Sequence, residues 1–167
     1  MGKPGQFPGV YRGIVTNNLD PMQMVRVQIT VPDVLAVSES PWARVTSPIA
    51  GRSRGLYFVP EVGDEVLVAF EGGDPQQPYV IGSLWNANDK PPTAAGANPP
   101  DSVIAIQGKA QHAVVIRDTP SGGIEIRSAG GAVISVSDAA ITINNGKGAS
   151  VILEGSSVTV NGKWVPR

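Results

Sequence analysis

The stretch Pro60–Leu84, P-E-V-G-D-E-V-L-V-A-F-E-G-G-D-P-Q-Q-P-Y-V-I-G-S-L, decides the fold of the first half of the chain. Val66, Val68 and Phe70 alternate with Leu67, Ala69 and Glu71, the period of two that a half-buried strand requires. Gly72-Gly73-Asp74-Pro75 supplies a turn, because glycine tolerates positive φ and proline fixes its own. Tyr79-Val80-Ile81 begins a returning strand, and Gly82 permits a bend or bulge beside it.

Working outward, V-Y-R-G-I-V-T-N over residues 10–17 reads as a strand, and N-N-L-D-P after it as a loop rich in turn formers. Met24–Val31 alternates most cleanly, with Val25, Val27, Ile29 and Val31 on one face, as in a barrel wall with one wet side. Trp42–Thr46 predicts a third strand, Ile49–Arg54 a loop, and Gly55–Val59 a short apolar segment leading into the hairpin. Five or six short strands in so few residues suit a small closed barrel of the OB type over residues 10–85. Residues 1–9, with three glycines and two prolines, predict an extended or flexible arm.

Composition agrees. The 167 residues include 20 glycines and 15 prolines with only 5% aromatics, which favours an all-β chain with many turns. A net charge of −1 gives no electrostatic footprint for nucleic acid or an anionic membrane. No apolar run approaches bilayer length, and the N-terminal M-G-K-P-G-Q-F-P-G has no apolar segment, so no secretory signal is expected. Without cysteine there is neither a disulfide framework nor a thiolate metal site, in keeping with synthesis in a reducing cytoplasm.

Residues 86–101, N-A-N-D-K-P-P-T-A-A-G-A-N-P-P-D, hold no aliphatic larger than alanine and predict an extended linker. Beyond them, over 102–167, short apolar beads recur every seven to ten residues: V-I-A-I, V-V-I, I-E-I, V-I-S-V, I-T-I, V-I-L and V-T-V, separated by small or turn-forming residues. Each bead offers two or three aliphatic side chains, too few for a lone ribbon to offset a chain entropy of roughly 1–2 kcal/mol per residue. Three copies around a common axis solve this, each contributing one wall of a shared prism. The expected core of that trimer is Val114, Ile116, Ile124, Ile126, Ile134, Val136, Ile141, Ile143, Ile152, Val158 and Val160. Arg117, Glu125, Arg127 and Lys147 are expected on the solvated outside.

Trp42-Ala43-Arg44-Val45, Pro48-Ile49-Ala50-Gly51, the Pro60–Asn86 string and Asp89-Lys90-Pro91-Pro92 resemble the OB module of the central spike family of contractile injection machines. That family includes the baseplate assembly protein V of contractile-tailed phages and the VgrG spikes of type VI secretion. The residues carrying the motif are Trp42, Pro60, Gly63, Asp64, Gly73, Asp74, Pro75 and Gly82. Q-H-A-V-V-I-R-D from Gln111 resembles the start of the family's triple-stranded β-helix, with Gln111 where a glycine is usual. The resemblance implies an intertwined homotrimeric needle in a virion tail baseplate or injection particle. Its OB barrels would dock on a hub, and contraction would drive it into the target cell envelope. Larger members carry a hub domain, and some a lysozyme domain, that this sequence lacks, so a separate hub is expected. Some phage spikes hold iron at the apex through a histidine motif. The single histidine here lies far from the C-terminus, so a PAAR-type tip protein is the expected cap, with no metal or other cofactor.

Enzymatic readings are weaker. Glu61, Asp64, Glu65, Glu71 and Asp74 are the densest acidic group, and a paired-carboxylate hydrolase needs two such groups at close range. Adjacent strand residues point to opposite faces, however, and an aspartate before proline suits a turn. His112 has no second histidine or cysteine with which to share a metal, so a hydrogen-bonding role is expected. No G-x-S-x-G, P-loop or dinucleotide fingerprint occurs. The alternative of another class is a single-stranded nucleic-acid-binding OB protein. It would use Arg12, Arg26, Arg44, Arg52 and Arg54 with Tyr11, Trp42, Tyr57 and Phe58. Trp85 and Trp164 are expected to be packing anchors.

Overall fold

Five strands close the first half into a barrel: β1 (Val10–Asn17), β2 (Arg26–Thr30), β3 (Ala43–Val45), β6 (Glu65–Phe70) and β7 (Pro78–Ser83). A computed structural model describes residues 5–35, 38–92 and 102–163 of the chain. The barrel order is β1-β2-β3-β7-β6, with β3 and β7 parallel and the other pairings antiparallel. This is the arrangement of a five-stranded Greek-key barrel of the OB kind. The alternation seen in sequence places Val27, Ile29, Val66 and Val68 inside, all fully buried, with Val15, Val31, Val80 and Phe70 completing the core. A bulge interrupts β7, since Leu67 pairs with Gly82 and Val68 with Val80, leaving Ile81 unopposed.

Three barrel features differ from the sequence reading. Residues 49–54 form no plain loop: β4 (Ala50–Gly51) and β5 (Arg54–Gly55) make a minimal hairpin. The stretch after Thr30 contains a single helical turn, α1 (Pro32–Leu35), which Pro32 opens without losing a needed N–H. The arm is also pinned at Phe7. The Phe7 N–H donates to the Gly73 carbonyl at 2.8 Å, and its ring meets Tyr11 edge-on at 6.3 Å and Phe70 at 6.4 Å. The part of the expected linker from residue 93 to 101, and Trp164, lie outside the described residues.

The chain divides into two compact units, Met1–Lys90 and Pro91–Arg167. In the second, seven strands form one antiparallel meander: β8 (Val103–Gln107), β9 (Ala113–Arg117), β10 (Gly123–Arg127), β11 (Val133–Val136), β12 (Ala140–Asn144), β13 (Ser150–Glu154) and β14 (Ser157–Asn161). Connections of two to five residues join neighbours, short enough for hairpins and too short for crossovers. Three turns on one edge share a geometry. Gly108 N–H donates to the His112 carbonyl at 2.9 Å, Ser128 to Ala132 at 2.9 Å, and Asn145 to Ala149 at 3.1 Å. The apolar beads are therefore successive rungs of one continuous wall. Their backbone partners are sequence neighbours in the same chain, which differs from single strands of three chains wound between one another.

Candidate functional site

Because antiparallel partners share a face of the sheet, the pairing register sorts the meander's side chains unambiguously. One column on one face runs Ile104, Ile116, Ile124, Val136, Ile141, Leu153, Val158 from β8 to β14. Beside it runs Ile106, Val114, Ile126, Ile134, Ile143, Val151, Val160. Every position in both columns is aliphatic. Six strand-to-strand steps of roughly 4.8 Å make a stripe about 30 Å long. These side chains remain substantially exposed in the single chain, from 37% at Ile116 to 67% at Val160, with only Val151 in the half-buried class. From Ile106 to Ile143 the second column lines a trough of about 650 Å³.

The opposite face is different in kind. Its central column reads Ala105, Val115, Glu125, Ser135, Thr142, Ile152, Thr159. At the β8–β9 end it is apolar, where Val115 and Ala113 are buried with Val103 and Ala105 against them. Glu125 and Arg127 form an ion pair at 3.5 Å on this side.

The expected core residues Val114, Ile116, Ile124, Ile126, Ile134, Val136, Ile141, Ile143, Val158 and Val160 thus share one face. Ile152 does not: it pairs with Thr142 and Thr159 on the opposite face. The bead V-I-L contributes Val151 and Leu153 to the stripe instead. Three consecutive aliphatics carry no alternation, so only the pairing with Ile141 and Ile143 sets their phase. Ile104 and Ile106 also belong to the stripe, and the alternation of V-I-A-I was the signal for them.

The barrel motif residues sit in two turns, beside the β7 bulge and under Arg26. The Gly63 N–H donates to the Val15 carbonyl at 2.9 Å, and the Val15 N–H to the Asp64 carbonyl at 3.0 Å, stapling the turn to β1. Asp64 Oδ2 accepts from the Glu61 N–H at 2.8 Å, and the carbonyl of buried Pro60 accepts from Asn18 Nδ2 at 3.1 Å. Asp74 Oδ1, ahead of Pro75, accepts from the Gln76 N–H at 2.9 Å. Gly73 receives the Phe7 arm, Gly82 flanks the bulge, and Trp42 lies 5.6 Å beneath the Arg26 guanidinium. Of the remaining acidic residues, Glu71 accepts from the Tyr79 hydroxyl at 2.5 Å and Glu65 from Asn86 Nδ2 at 2.8 Å. Local bonds occupy these carboxylates. His112 Nδ1 accepts from the Ala129 N–H at 3.4 Å, tying the first turn of the repeating edge to the second. Among the described residues no group of three or more His, Cys, Asp or Glu could hold a metal ion.

Sequence reasoning missed the strongest polar site, Asp20. Its carboxylate accepts from Arg26 Nη2 at 2.7 Å, Arg26 Nε at 3.0 Å and the N–H groups of Met22 and Met24. These bonds, Arg26 foremost, hold its carboxyl far below the ordinary carboxylate range. They also fix a loop in which Gln23 and Val25 have positive φ. The arginines of the nucleic-acid reading are therefore partly engaged: Arg26 by Asp20 and Trp42, and Arg44 over Tyr79 at 5.6 Å. Tyr11 packs on Phe70 at 5.5 Å. Tyr57 and Phe58 are exposed beside a groove of about 370 Å³ that Met24, Ile49 and Leu56 also line.

Comparison with known proteins bears on both units. Residues 11–85 match the type VI secretion system/phage-baseplate injector OB domain, and residues 103–165 match the phage baseplate V C-terminal trimerisation domain. Among curated relatives, the type VI secretion system spike protein VgrG1a of Pseudomonas aeruginosa is 38% identical over 61 residues, 36% of this chain and 10% of that protein. The spike protein VgrG3 of Vibrio cholerae is 42% identical over 53 residues, 32% of this chain and 5% of its own length. The actin cross-linking toxin VgrG1 of Vibrio cholerae is 42% identical over 51 residues, 30% and 5% respectively. The chain thus spans a tenth or less of these relatives. With both domain models matched in order along nearly its whole length, the chain belongs to the phage baseplate V family, whose VgrG relatives are the spike proteins of type VI secretion.

Proposed function

We propose that this chain is a structural spike of a contractile tail or injection system. Three copies turn their aliphatic stripes inward and close into the trimeric β-helix, each meander serving as one wall. The observation that carries this reading is the pair of unbroken aliphatic columns left open to water across seven strands. Soluble monomers rarely leave so continuous an apolar surface uncovered. Full burial of an aliphatic side chain is worth about 1.5–3 kcal/mol, and these are roughly half exposed. The stripe therefore offers on the order of 10 kcal/mol per chain to whatever covers it. A second copy and a third offer the same stripe in return, and the matched trimerisation domain supports that partner.

In this reading the barrels dock on a hub, which the apolar groove between Met24, Ile49 and Leu56 would serve. The exposed last rung, β14, seats a PAAR-type tip protein. Sheath contraction drives the rigid trimer into the target envelope, and no residue is assigned a catalytic role. Native mass by light scattering, with and without heating in SDS, tests the proposal. Three chain masses, resistant to SDS without heating, is the expected result. A stable monomer overturns it and makes binding to labelled single-stranded DNA the next measurement.

A further inference from the structure

Register divides the charges of the meander as sharply as it divides its apolar side chains. One long edge is built from the strand ends Gln107, Ala113, Arg127, Val133, Asn144, Ser150 and Asn161 with the turns 108–112, 128–132 and 145–149 and the exit 162–163. Its charged residues are Lys109, Arg127, Lys147 and Lys163, with no acidic side chain among them. The other edge carries Asp118 and Asp138 in its turns and Glu154 at its strand end, with Arg117 as the single cation there. Between the edges lies only Glu125, already paired to Arg127. Lys109, Lys147, Lys163, Asp118, Asp138 and Glu154 are all exposed. The ion pairs Asp20–Arg26 and Glu125–Arg127 use none of Lys147, Lys163, Asp118, Asp138 and Glu154.

We infer that the basic edge of one copy meets the acidic edge of the next, so that charge selects the closed three-fold ring. This rests on the three-walled reading above and adds how its walls recognise one another. In any cyclic ring the contacts are head to tail: each wall's one edge abuts the next wall's opposite edge. Two like edges would repel at every corner, whereas the observed division attracts at all three.

Height is matched as well. Cyclic symmetry gives the copies no axial offset, so the level of each side chain within one sheet is its level in the ring. Asp118 lies in the turn between β9 and β10, one strand from the β8–β9 turn that carries Lys109. Asp138 in the β11–β12 turn lies one strand from Lys147 in the β12–β13 turn. Glu154 at the end of β13 sits between the levels of Lys147 and Lys163. One strand step is about 4.8 Å, within the reach of a lysine side chain. Exposed pairs of this sort contribute little to stability singly. Their effect is on which surfaces meet and in which register, a task the uniform aliphatic stripe cannot perform.

The test uses the full chain at low ionic strength, with native mass by light scattering as the readout. K109E/K147E/K163E makes both edges acidic and is expected to lose the trimer, with partial recovery as salt screens the repulsion. Adding D118K/D138K/E154K exchanges the two edges and is expected to restore the trimer, which a folding defect would not allow. If the three lysine reversals leave the trimer intact at low salt, the inference is overturned. It is equally overturned if they abolish the trimer and the exchanged variant does not recover it. A monomeric wild type overturns instead the three-walled reading on which this one stands.

Discussion

The barrel and the meander are written in the same alternating pattern, yet their aliphatic side chains end in opposite environments. Val66 and Val68 of β6 are fully buried, whereas Ile124 and Ile126 of β10 are 45% and 48% exposed. The difference is closure. The parallel pairing of β3 with β7 bends five strands into a ring that encloses its own apolar face. The meander runs from β8 to β14 without returning, so its face has no cover within the sheet. Alternation specifies that one face must be hidden. The topology decides whether the same chain can hide it.

The largest effect that separates the two regions is a carboxylate placed on each inner face. Val68→Asp buries a charge within one barrel, a penalty of several kcal/mol against a typical domain stability of about 5–15 kcal/mol. The barrel is expected to unfold whatever the state of assembly. In the proposed trimer Ile126→Asp brings three carboxylates together at one axis, and it is expected to abolish assembly while the barrel keeps its thermal transition. Calorimetry with light scattering reads both outcomes. A heat-stable trimer of Ile126→Asp would show that the inward face is wrongly assigned.

Next in size are changes to barrel closure itself. Ser40, buried to 3%, stands in for a strand partner of Ile29: its Oγ accepts the Ile29 N–H at 3.1 Å and donates to the Pro41 carbonyl at 2.6 Å. Ser40→Ala leaves a buried N–H unmet and is expected to cost about 1–3 kcal/mol by denaturant unfolding. Gly13→Ala meets the Val68 side chain at 3.0 Å and the Thr30 carbonyl at 3.1 Å where β1 crosses the core. Overpacking there is expected to cost about 1–3 kcal/mol. Neither variant should alter trimer mass at temperatures where the barrel is folded. A loss of trimer in either would mean that barrel and wall do not stabilise independently.

How far these regions were legible in sequence follows from how local the information is. The strands Val10–Asn17 and Met24–Val31 and the Pro60–Leu84 hairpin showed themselves because alternation and turn formers act within a few residues. The β4–β5 hairpin gave no periodic signal from two-residue strands. The anchoring of Phe7 depends on Gly73, far along the chain, and on the Tyr11 and Phe70 rings. Asp20 reads as a turn former in N-N-L-D-P, and only the fold brings Arg26 back onto it. In the meander the beads located every rung. The uniform run V-I-L concealed which of its residues faces the stripe, and charge division between edges is invisible until register is known.

A smaller effect, confined to the barrel, is its response to acid. Arg26 first, and then the Met22 and Met24 N–H groups, depress the carboxyl of Asp20 in the folded state below its ordinary value of 3.8. A depressed folded-state value stabilises fully above the unfolded value and is lost as pH falls below it. Asp20→Asn is expected to melt at a lower temperature than wild type at neutral pH. That gap should close as the pH falls from about 4 toward 2. Melting curves across this range check it. A gap independent of pH would show that the Asp20 side chain stabilises the loop by shape alone.

The smallest expected effect sharpens the comparison most, because it sets two adjacent residues of β13 against each other. Leu153 pairs with Ile141 and Val158 in the stripe, and Ile152 with Thr142 and Thr159 on the far face. In the proposed trimer Leu153→Asp places a charge among three apolar walls and should release monomers, as is expected of Ile126→Asp. Ile152→Asp loses a half-buried aliphatic and some strand preference, a cost on the order of 1 kcal/mol, and should leave the trimer mass unchanged. Composition and charge are the same in the two variants, and their positions differ by one residue. Only a sheet with one hidden face distinguishes them, since a shift of one residue along a strand exchanges inside for outside. If Ile152→Asp is the variant that falls apart, the wall is turned over and its polar face is the one that the partners cover.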